Sequence, residues 1–74
     1  MSMEHYKEWI KIGLNISYYR KERGLTQQQL AELSKISRNF LQRIENGKSA
    51  SVDTLMDIAN AMDIPPSKLL EFRD

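Results

Sequence analysis

Four side chains in the segment 38–43 are of the types that recognise the edges of bases in DNA. They are Arg38, Asn39, Gln42 and Arg43. Arginine forms paired hydrogen bonds with guanine, whereas asparagine and glutamine form them with adenine. On a helix, residues three and four apart share a face. The spacing therefore predicts one helical face with the chemistry to contact a duplex in its major groove.

The helix that must carry these residues has a defined start and an apolar side. Ser37 is a preferred N-cap residue, and Leu41 and Ile44 lie three positions apart on one face. Gly47 then ends the helix, because glycine readily adopts the left-handed backbone conformation that follows the last turn of many helices. The pattern predicts a helix over residues 38–46 whose apolar side requires a partner element.

The preceding residues supply that partner helix. Thr26 and Gln29 have the spacing of a capping box, and Leu30 follows as an apolar residue of a helix over residues 27–33. Only residues 34–36 separate this helix from the next. A connection this short holds two helices at a steep, fixed angle, which is the helix-turn-helix arrangement.

Three further helices complete the predicted all-α fold. One covers residues 9–23 and ends at Gly24, a second begins after the N-cap Ser51, and a short fifth helix begins at Pro66. Strand and hairpin patterns are absent from the sequence. We expect five helices, with a polar lead-in at residues 1–8 and a single domain at residues 9–72.

Composition narrows the possible functions. The chain has 74 residues, of which 41% are hydrophobic, and it has no cysteine. A single small core must therefore bury nearly all of the larger apolar side chains, without room for an enclosed substrate pocket. One histidine and no cysteine do not make a zinc site of normal ligand count. We expect no metal, no cofactor and no small-molecule substrate.

The charge distribution is more informative than the net charge. Eleven lysines and arginines balance ten acids, for a formal net charge of +1. Within residues 38–48, however, three bases stand against one acid. No apolar run is long enough to cross a membrane, and the N-terminus lacks the apolar segment of a signal peptide. We expect a soluble, cytoplasmic protein with a local basic face.

The whole pattern resembles the DNA-binding domains of the phage repressor and Cro-type (Xre-type) helix-turn-helix family. The resemblance covers residues 12–70. It rests on G-L-T-Q-Q-Q-L-A at 24–31, I-S-R-N-F-L-Q-R-I-E-N-G at 36–47 and L-x-x-I-A-x-A-M-x-I at 55–64. It implies a compact, five-helix, lambda-repressor-like domain with the helix-turn-helix at helices two and three.

The resemblance also implies roles for individual residues. The positions that match phosphate or backbone contacts are Gln27, Gln28, Asn46 and Lys48. The base-reading positions are Arg38, Asn39 and Gln42, with Arg43 one turn further on, able to reach a base or a phosphate. Arg20 and Glu45 match the family's buried, structural ion pair. Lys35 occupies a turn position that is most often glycine, so we expect a strained, positive φ there.

Several apolar side chains have two interpretations. Phe40 lies between the apolar and outward faces of its helix, so it either contacts a thymine methyl or the sugar backbone, or packs against helix two. Leu33, Trp9, Tyr6 and Phe72 are either edge-of-core residues or part of a contact surface. Because members of the family usually bind as two-fold dimers, we take the terminal aromatic residues as candidates for a homodimer surface.

Two functions follow from the sequence. The first is a sequence-specific transcriptional regulator, a repressor that reads a palindromic operator in double-stranded DNA as a dimer. The second is a protein-interaction module, such as an antitoxin or an anti-repressor partner, because fold does not fix function. Catalysis is not expected, since the sequence has no nucleophile–base pair, metal cluster or phosphate-binding glycine loop.

Overall fold

In a computed structural model that describes residues 5–72, the chain forms four α-helices and one 3₁₀ helix. Their bounds are Tyr6–Glu22 (α1), Gln27–Ser34 (α2), Arg38–Glu45 (α3), Val52–Ala61 (α4) and Pro66–Leu70 (the 3₁₀ helix). Residues 5–72 contain no strand. The predicted all-α architecture with its helix-turn-helix at helices two and three is therefore confirmed.

Two elements differ in detail from the prediction. The first helix begins at Tyr6, so part of the expected lead-in, 6–8, is helical, and Glu8 lies favourably in the first turn. The fifth helix is 3₁₀ rather than α, with a hydrogen bond from the Lys68 N–H to the Pro65 carbonyl at 3.0 Å. Five residues are too few for more than about one turn of α-helix, which favours the tighter form.

The helix starts are fixed by side-chain caps. The Thr26 hydroxyl accepts from the Gln29 N–H at 3.0 Å, and the Gln29 side chain accepts from the Thr26 N–H at 2.9 Å, which completes the capping box. Ser37 accepts from the Phe40 N–H at 3.0 Å, and Ser51 caps α4 in the same way. Each cap satisfies a backbone donor that the first helical turn would leave unpaired.

Four residues outside the helices adopt left-handed backbone conformations. Gly24 and Gly47 follow the last turns of α1 and α3 with φ values of 69° and 106°. Lys35, between α2 and α3, has a φ of 60°, as expected for this tight turn. Asp63, after α4, has a φ of 57°, which the sequence analysis did not predict.

Every element contributes at least one fully buried side chain to one core. These residues are Ile16 from α1, Leu30 from α2, Leu41 and Ile44 from α3, Ile58 from α4 and Leu69 from the 3₁₀ helix. Burial of each such side chain stabilises the fold by about 1.5–3 kcal/mol. The core thus sets the angle between α2 and α3, and Gly13 lies where α1 crosses the end of α3.

The expectation that nearly all large apolar side chains are buried is wrong. Among residues 5–72, nine are exposed: Tyr6, Ile10, Leu14, Tyr18, Leu33, Val52, Met56, Leu70 and Phe72. A chain of this length has too large a surface for its volume to enclose them all.

Candidate nucleic-acid interface

Helix α3 has a buried side and an exposed side. Leu41 and Ile44 are buried in the core. The four candidate base-reading residues are all exposed: Arg38, Asn39, Gln42 and Arg43. The structure therefore brings the four predicted residues together on the solvent side of one short helix, with its N-terminus set by the Ser37 cap.

Phe40 is half-buried, and its ring packs against the core. This agrees with the packing interpretation. The Phe40 side chain is nevertheless partly exposed to solvent. Its backbone N–H is already used by the Ser37 hydroxyl.

Two exposed residues lie just beyond the end of α3. Asn46 is the C-cap residue, and Lys48 follows Gly47. The Lys48 N–H donates to the Arg43 carbonyl at 2.9 Å, and the Gly47 N–H donates to the Ile44 carbonyl at 3.0 Å. These bonds fix the chain direction after α3 and hold the backbone of Lys48 close to the last turn of the candidate recognition helix.

At the start of α2, the side chains of Gln27 and Gln28 make contacts that the sequence analysis did not predict. Gln27 is half-buried, and its Nε2 donates to Oε1 of Glu45 at 3.1 Å. Gln28 is exposed, and its Nε2 donates to Oε2 of Glu32 at 3.0 Å. The spacing of four residues between Gln28 and Glu32 was visible in the sequence, but the bond from Gln27 to α3 required the fold.

The ion pair between Arg20 and Glu45 is present in the structure. Arg20 Nε donates to Glu45 Oε2 at 2.8 Å, and Nη2 donates to Oε1 at 3.1 Å. The Arg20 Nη1 also donates to the Leu25 carbonyl at 2.9 Å, which links the pair to the turn before α2. Both charged side chains are buried, so Glu45 adds little negative potential to the outer face of α3.

The exposed charge beside α3 is consequently basic. Arg38, Arg43 and Lys48 are exposed, as is Lys35 in the turn before the helix. Clustered positive charge on one face is the electrostatic requirement for phosphate contacts, even where the net charge is small.

The candidate contact residues outside the α3 face differ in how exposed they are. Trp9 is half-buried against the core, whereas Tyr6 and Phe72 are exposed, with the Lys11 ammonium 5.6 Å from the Phe72 ring centre. Leu33 is 56% exposed on the far side of α2. The structure thus leaves Tyr6, Phe72 and Leu33 available for a partner and uses Trp9 for packing.

An apolar ridge runs along the outer side of α1, and the sequence analysis had named only its first residue, Tyr6, as a contact candidate. It consists of Tyr6, Ile10, Leu14 and Tyr18, spaced four residues apart and all exposed, with Leu14 at 62%. We call this set the α1 ridge. The spacing of four residues was present in the sequence, but only the buried stripe of the same helix was predicted.

Residues 5–72 contain neither a cluster of metal-ligating side chains nor a membrane-spanning helix. No group of three or more His, Cys, Asp or Glu side chains there is arranged to hold a metal ion. None of the helices in that range combines the length and the apolar character needed to cross a membrane.

Comparison with known proteins also identifies a helix-turn-helix domain. Residues 16–69 match a family model described as helix-turn-helix. The chain is 42% identical over 60 residues to the immunity repressor protein of Bacillus phage phi105, which covers 80% of this chain and 42% of the repressor. It is 49% identical over 47 residues to the antitoxin PezA of Streptococcus pneumoniae, which covers 64% of this chain and 30% of the antitoxin. The matched region is less than half of either relative.

Among solved structures, the fold is similar to that of SinR, the master regulator for biofilm formation, in complex with DNA. The TM-score is 0.77 with 31% sequence identity, over 81% of this chain and 98% of the SinR chain. The chain belongs to the Xre-type helix-turn-helix family.

Proposed function

We propose that this chain is a cytoplasmic, sequence-specific DNA-binding transcriptional regulator that acts as a repressor. The observation that carries the proposal is the exposed face of α3, where two arginines, an asparagine and a glutamine lie over a rigid core. These side chains recognise base edges in the major groove. The similarity to SinR, which was solved with DNA, and to a phage repressor supports this function.

In this proposal, base reading and backbone contacts are divided between different elements. Arg38, Asn39, Gln42 and Arg43 face the bases, with the edge of Phe40 beside them. Gln27, Gln28, Asn46 and Lys48 contact phosphates on both sides of α3. Phosphate contacts fix the register of the protein on the duplex, and base contacts choose the sequence. The N-terminus of α2 adds its free amides and its dipole to the phosphate contact.

We further propose that two copies bind a palindrome. Half-sites one helical turn apart lie about 34 Å from each other on one face of the duplex. The α1 ridge, with Phe72, is the apolar surface that we assign to the contact between copies, because a self-complementary patch is what a two-fold dimer requires.

Selection of binding sites from a pool of random duplexes tests the proposal directly. We expect an enriched, inverted-repeat sequence with half-site centres 10–11 base pairs apart, roughly one turn of B-DNA. A gel shift with the enriched duplex and a scrambled duplex of equal composition then measures specificity. Equal affinity for both duplexes, or no binding at low salt, would refute the assignment.

A protein-interaction module is the second candidate, and two observations favour it. The chain is similar to part of an antitoxin, and the exposed Leu33 lines two clefts, one between α2 and α4 and one beside Leu25 and α2. An antitoxin or anti-repressor partner would use such a surface. If a partner protein still binds the Leu33→Glu variant but no longer binds the Arg38→Glu variant, the surface around Leu33 is not its binding site. Neither function calls for catalysis, a cofactor or a small-molecule substrate, and we propose none.

A further inference from the structure

One buried side chain of α1 holds the C-terminal end of the described chain. Asn15 is 7% exposed, and its Nδ2 donates to the Leu69 carbonyl at 3.0 Å and to the Glu71 carbonyl at 2.9 Å. An amide nitrogen has two N–H groups, and these two bonds use both of them. The Asn15 amide therefore fixes the path of residues 69–71 against α1.

The bond to Glu71 places Phe72 beside the α1 ridge. The Glu71 carbonyl belongs to the same planar peptide unit as the Phe72 N–H, so a bond to this carbonyl fixes the backbone from which Phe72 projects. The Lys11 ammonium lies 5.6 Å from the centre of the Phe72 ring, within the range of a cation–π contact. Phe72 lines a cleft of about 270 Å³ together with Leu14 and Tyr18 of the ridge.

The amide at position 15 gives the C-terminal segment a defined path more than it adds stability. A buried amide gives up its hydrogen bonds to water, so its bonds to the two carbonyls yield little net free energy of folding. A fully bonded, buried polar group does specify one arrangement, because any other path of residues 69–71 would leave the Asn15 amide unpaired. Apolar contacts are not directional and do not select a path in this way.

We infer that Asn15 is a positioning residue for the contact between copies, because it holds Phe72 beside the α1 ridge. The inference rests on the proposed dimer, in which the ridge and Phe72 form that contact. A ring that is already held in place loses little conformational freedom when a second copy binds, and such preorganisation strengthens association. Aromatic anchors also contribute much of the binding energy at protein interfaces. Asn15 is itself buried and acts through Phe72.

Replacement of the amide by an apolar side chain of similar size tests the inference. Asn15→Leu removes both donors without adding a charge, so it should release Phe72 while the space at position 15 stays filled. We expect self-association to weaken about tenfold in sedimentation velocity, with helical content unchanged in circular dichroism. Phe72→Ala should cause a loss of similar size. Val52→Ala, at a position 71% exposed on α4, is the control and should not alter association.

The double variant separates positioning from a general structural role. If Asn15 acts through Phe72, Asn15→Leu should cause no further loss of self-association in a chain that already contains Phe72→Ala. A general loosening of the fold would weaken self-association by the same factor with and without Phe72→Ala. Equal losses in the two backgrounds would therefore overturn the inference.

Phe72→Ala tests the inference even if Asn15→Leu does not fold. Phe72 is exposed, and the two bonds of Asn15 go to backbone carbonyls that this change leaves in place. Self-association as strong in Phe72→Ala as in the unaltered chain would overturn the inference, since Asn15 would then have nothing to position. An unaltered chain that stays monomeric refutes the proposed dimer itself. A dimer that Leu14→Glu weakens and Phe72→Ala does not refutes only the role of Asn15.

Discussion

Gly13 lies so close to the backbone of Ile44 that no residue with a Cβ atom fits at position 13 without a shift of the backbone. A Cβ atom at Gly13 would lie 2.5 Å from the carbonyl oxygen of Ile44 and 2.6 Å from that of Glu45. The neighbouring atoms are backbone, so they do not move aside as a flexible side chain would. This contact sets the distance between α1 and the C-terminal end of α3.

We therefore predict that Gly13→Ala destabilises the protein. In an ordinary helix interior the same change stabilises by about 0.5–1 kcal/mol, so the sign is diagnostic. Overpacking against the end of α3 should instead cost about 1–3 kcal/mol in the free energy of unfolding, measured with urea. Lys21→Ala, at an exposed position of the same helix, is the control and should change stability little. A stabilised Gly13→Ala would contradict this description of the crossing.

The turn between α2 and α3 is strained at Lys35, and a glycine at this position would relieve the strain. Lys35 has a φ of 60°, which costs a residue with a Cβ atom about 1–2 kcal/mol, whereas glycine adopts it freely. Part of the stability gained by relieving this strain is lost because glycine makes the unfolded chain more flexible. We expect Lys35→Gly to raise the free energy of unfolding by about 1 kcal/mol, seen as a higher urea midpoint with an unchanged slope.

Asp63 is a matched comparison for Lys35. Its φ is 57°, but aspartate adopts the left-handed region more readily than lysine does. Asp63→Gly should therefore gain less stability than Lys35→Gly. A larger gain in stability for Asp63→Gly than for Lys35→Gly would show that the backbone preferences of aspartate and lysine do not set these gains.

The buried ion pair makes a prediction for stability that is separate from DNA binding. Arg20→Met would leave the Glu45 carboxylate, with a side chain 5% exposed, without its cation. Removing one member of a buried pair typically costs about 3–5 kcal/mol. The double change Arg20→Met/Glu45→Leu should cost clearly less than the sum of the two single changes. Additive losses in thermal unfolding would show that the two side chains do not interact.

Changes on the outer face should separate base reading from backbone contact. Arg38→Ala is expected to weaken binding to the enriched operator by about 1–3 kcal/mol and to leave affinity for random duplex nearly unchanged. Lys48→Ala should weaken both duplexes alike and reduce the dependence of affinity on salt by about one phosphate contact. Titrations at several salt concentrations measure both effects. Equal losses on the two duplexes for Arg38→Ala would exclude it from base reading.

The α1 ridge predicts a change in oligomeric state. Leu14→Glu places a charge in the middle of the ridge and should weaken self-association by at least roughly tenfold in sedimentation velocity, with helical content unchanged. Val52→Glu, at a position 71% exposed on α4, is the control and should not alter association. Dimers of equal strength in both variants would move the contact between copies to another surface.

Local sequence signals predicted much of the fold. Thr26, Ser37 and Ser51 start their helices as expected, because a cap is a short-range hydrogen bond with a clear residue preference. Gly24 and Gly47 end theirs by the same kind of local rule. The exposed polar face of α3 also followed from periodicity, since its apolar residues had to face the core.

Other features depend on three-dimensional proximity and were missed. The bond from Gln27 to Glu45 joins residues 18 positions apart, and no periodic pattern marks it. Asp63 looked like an ordinary surface acid, although the backbone turns sharply there. Apart from Tyr6, the α1 ridge was overlooked because a short chain was expected to bury its apolar residues, whereas the ratio of surface to volume forbids it.

Helices α2 and α3 contain eight residues each, fewer than the about 12–15 that an isolated helix needs to persist in water. Neither exists without the core beneath it, so the face that carries Arg38 forms only when the whole domain folds. Binding of DNA and folding of the domain are therefore thermodynamically linked. Saturation of the domain with operator at one hundred times its Kd should raise the free energy of unfolding by about 2.7 kcal/mol. Amide exchange in the middle of α3 should slow with operator concentration in step with global stability.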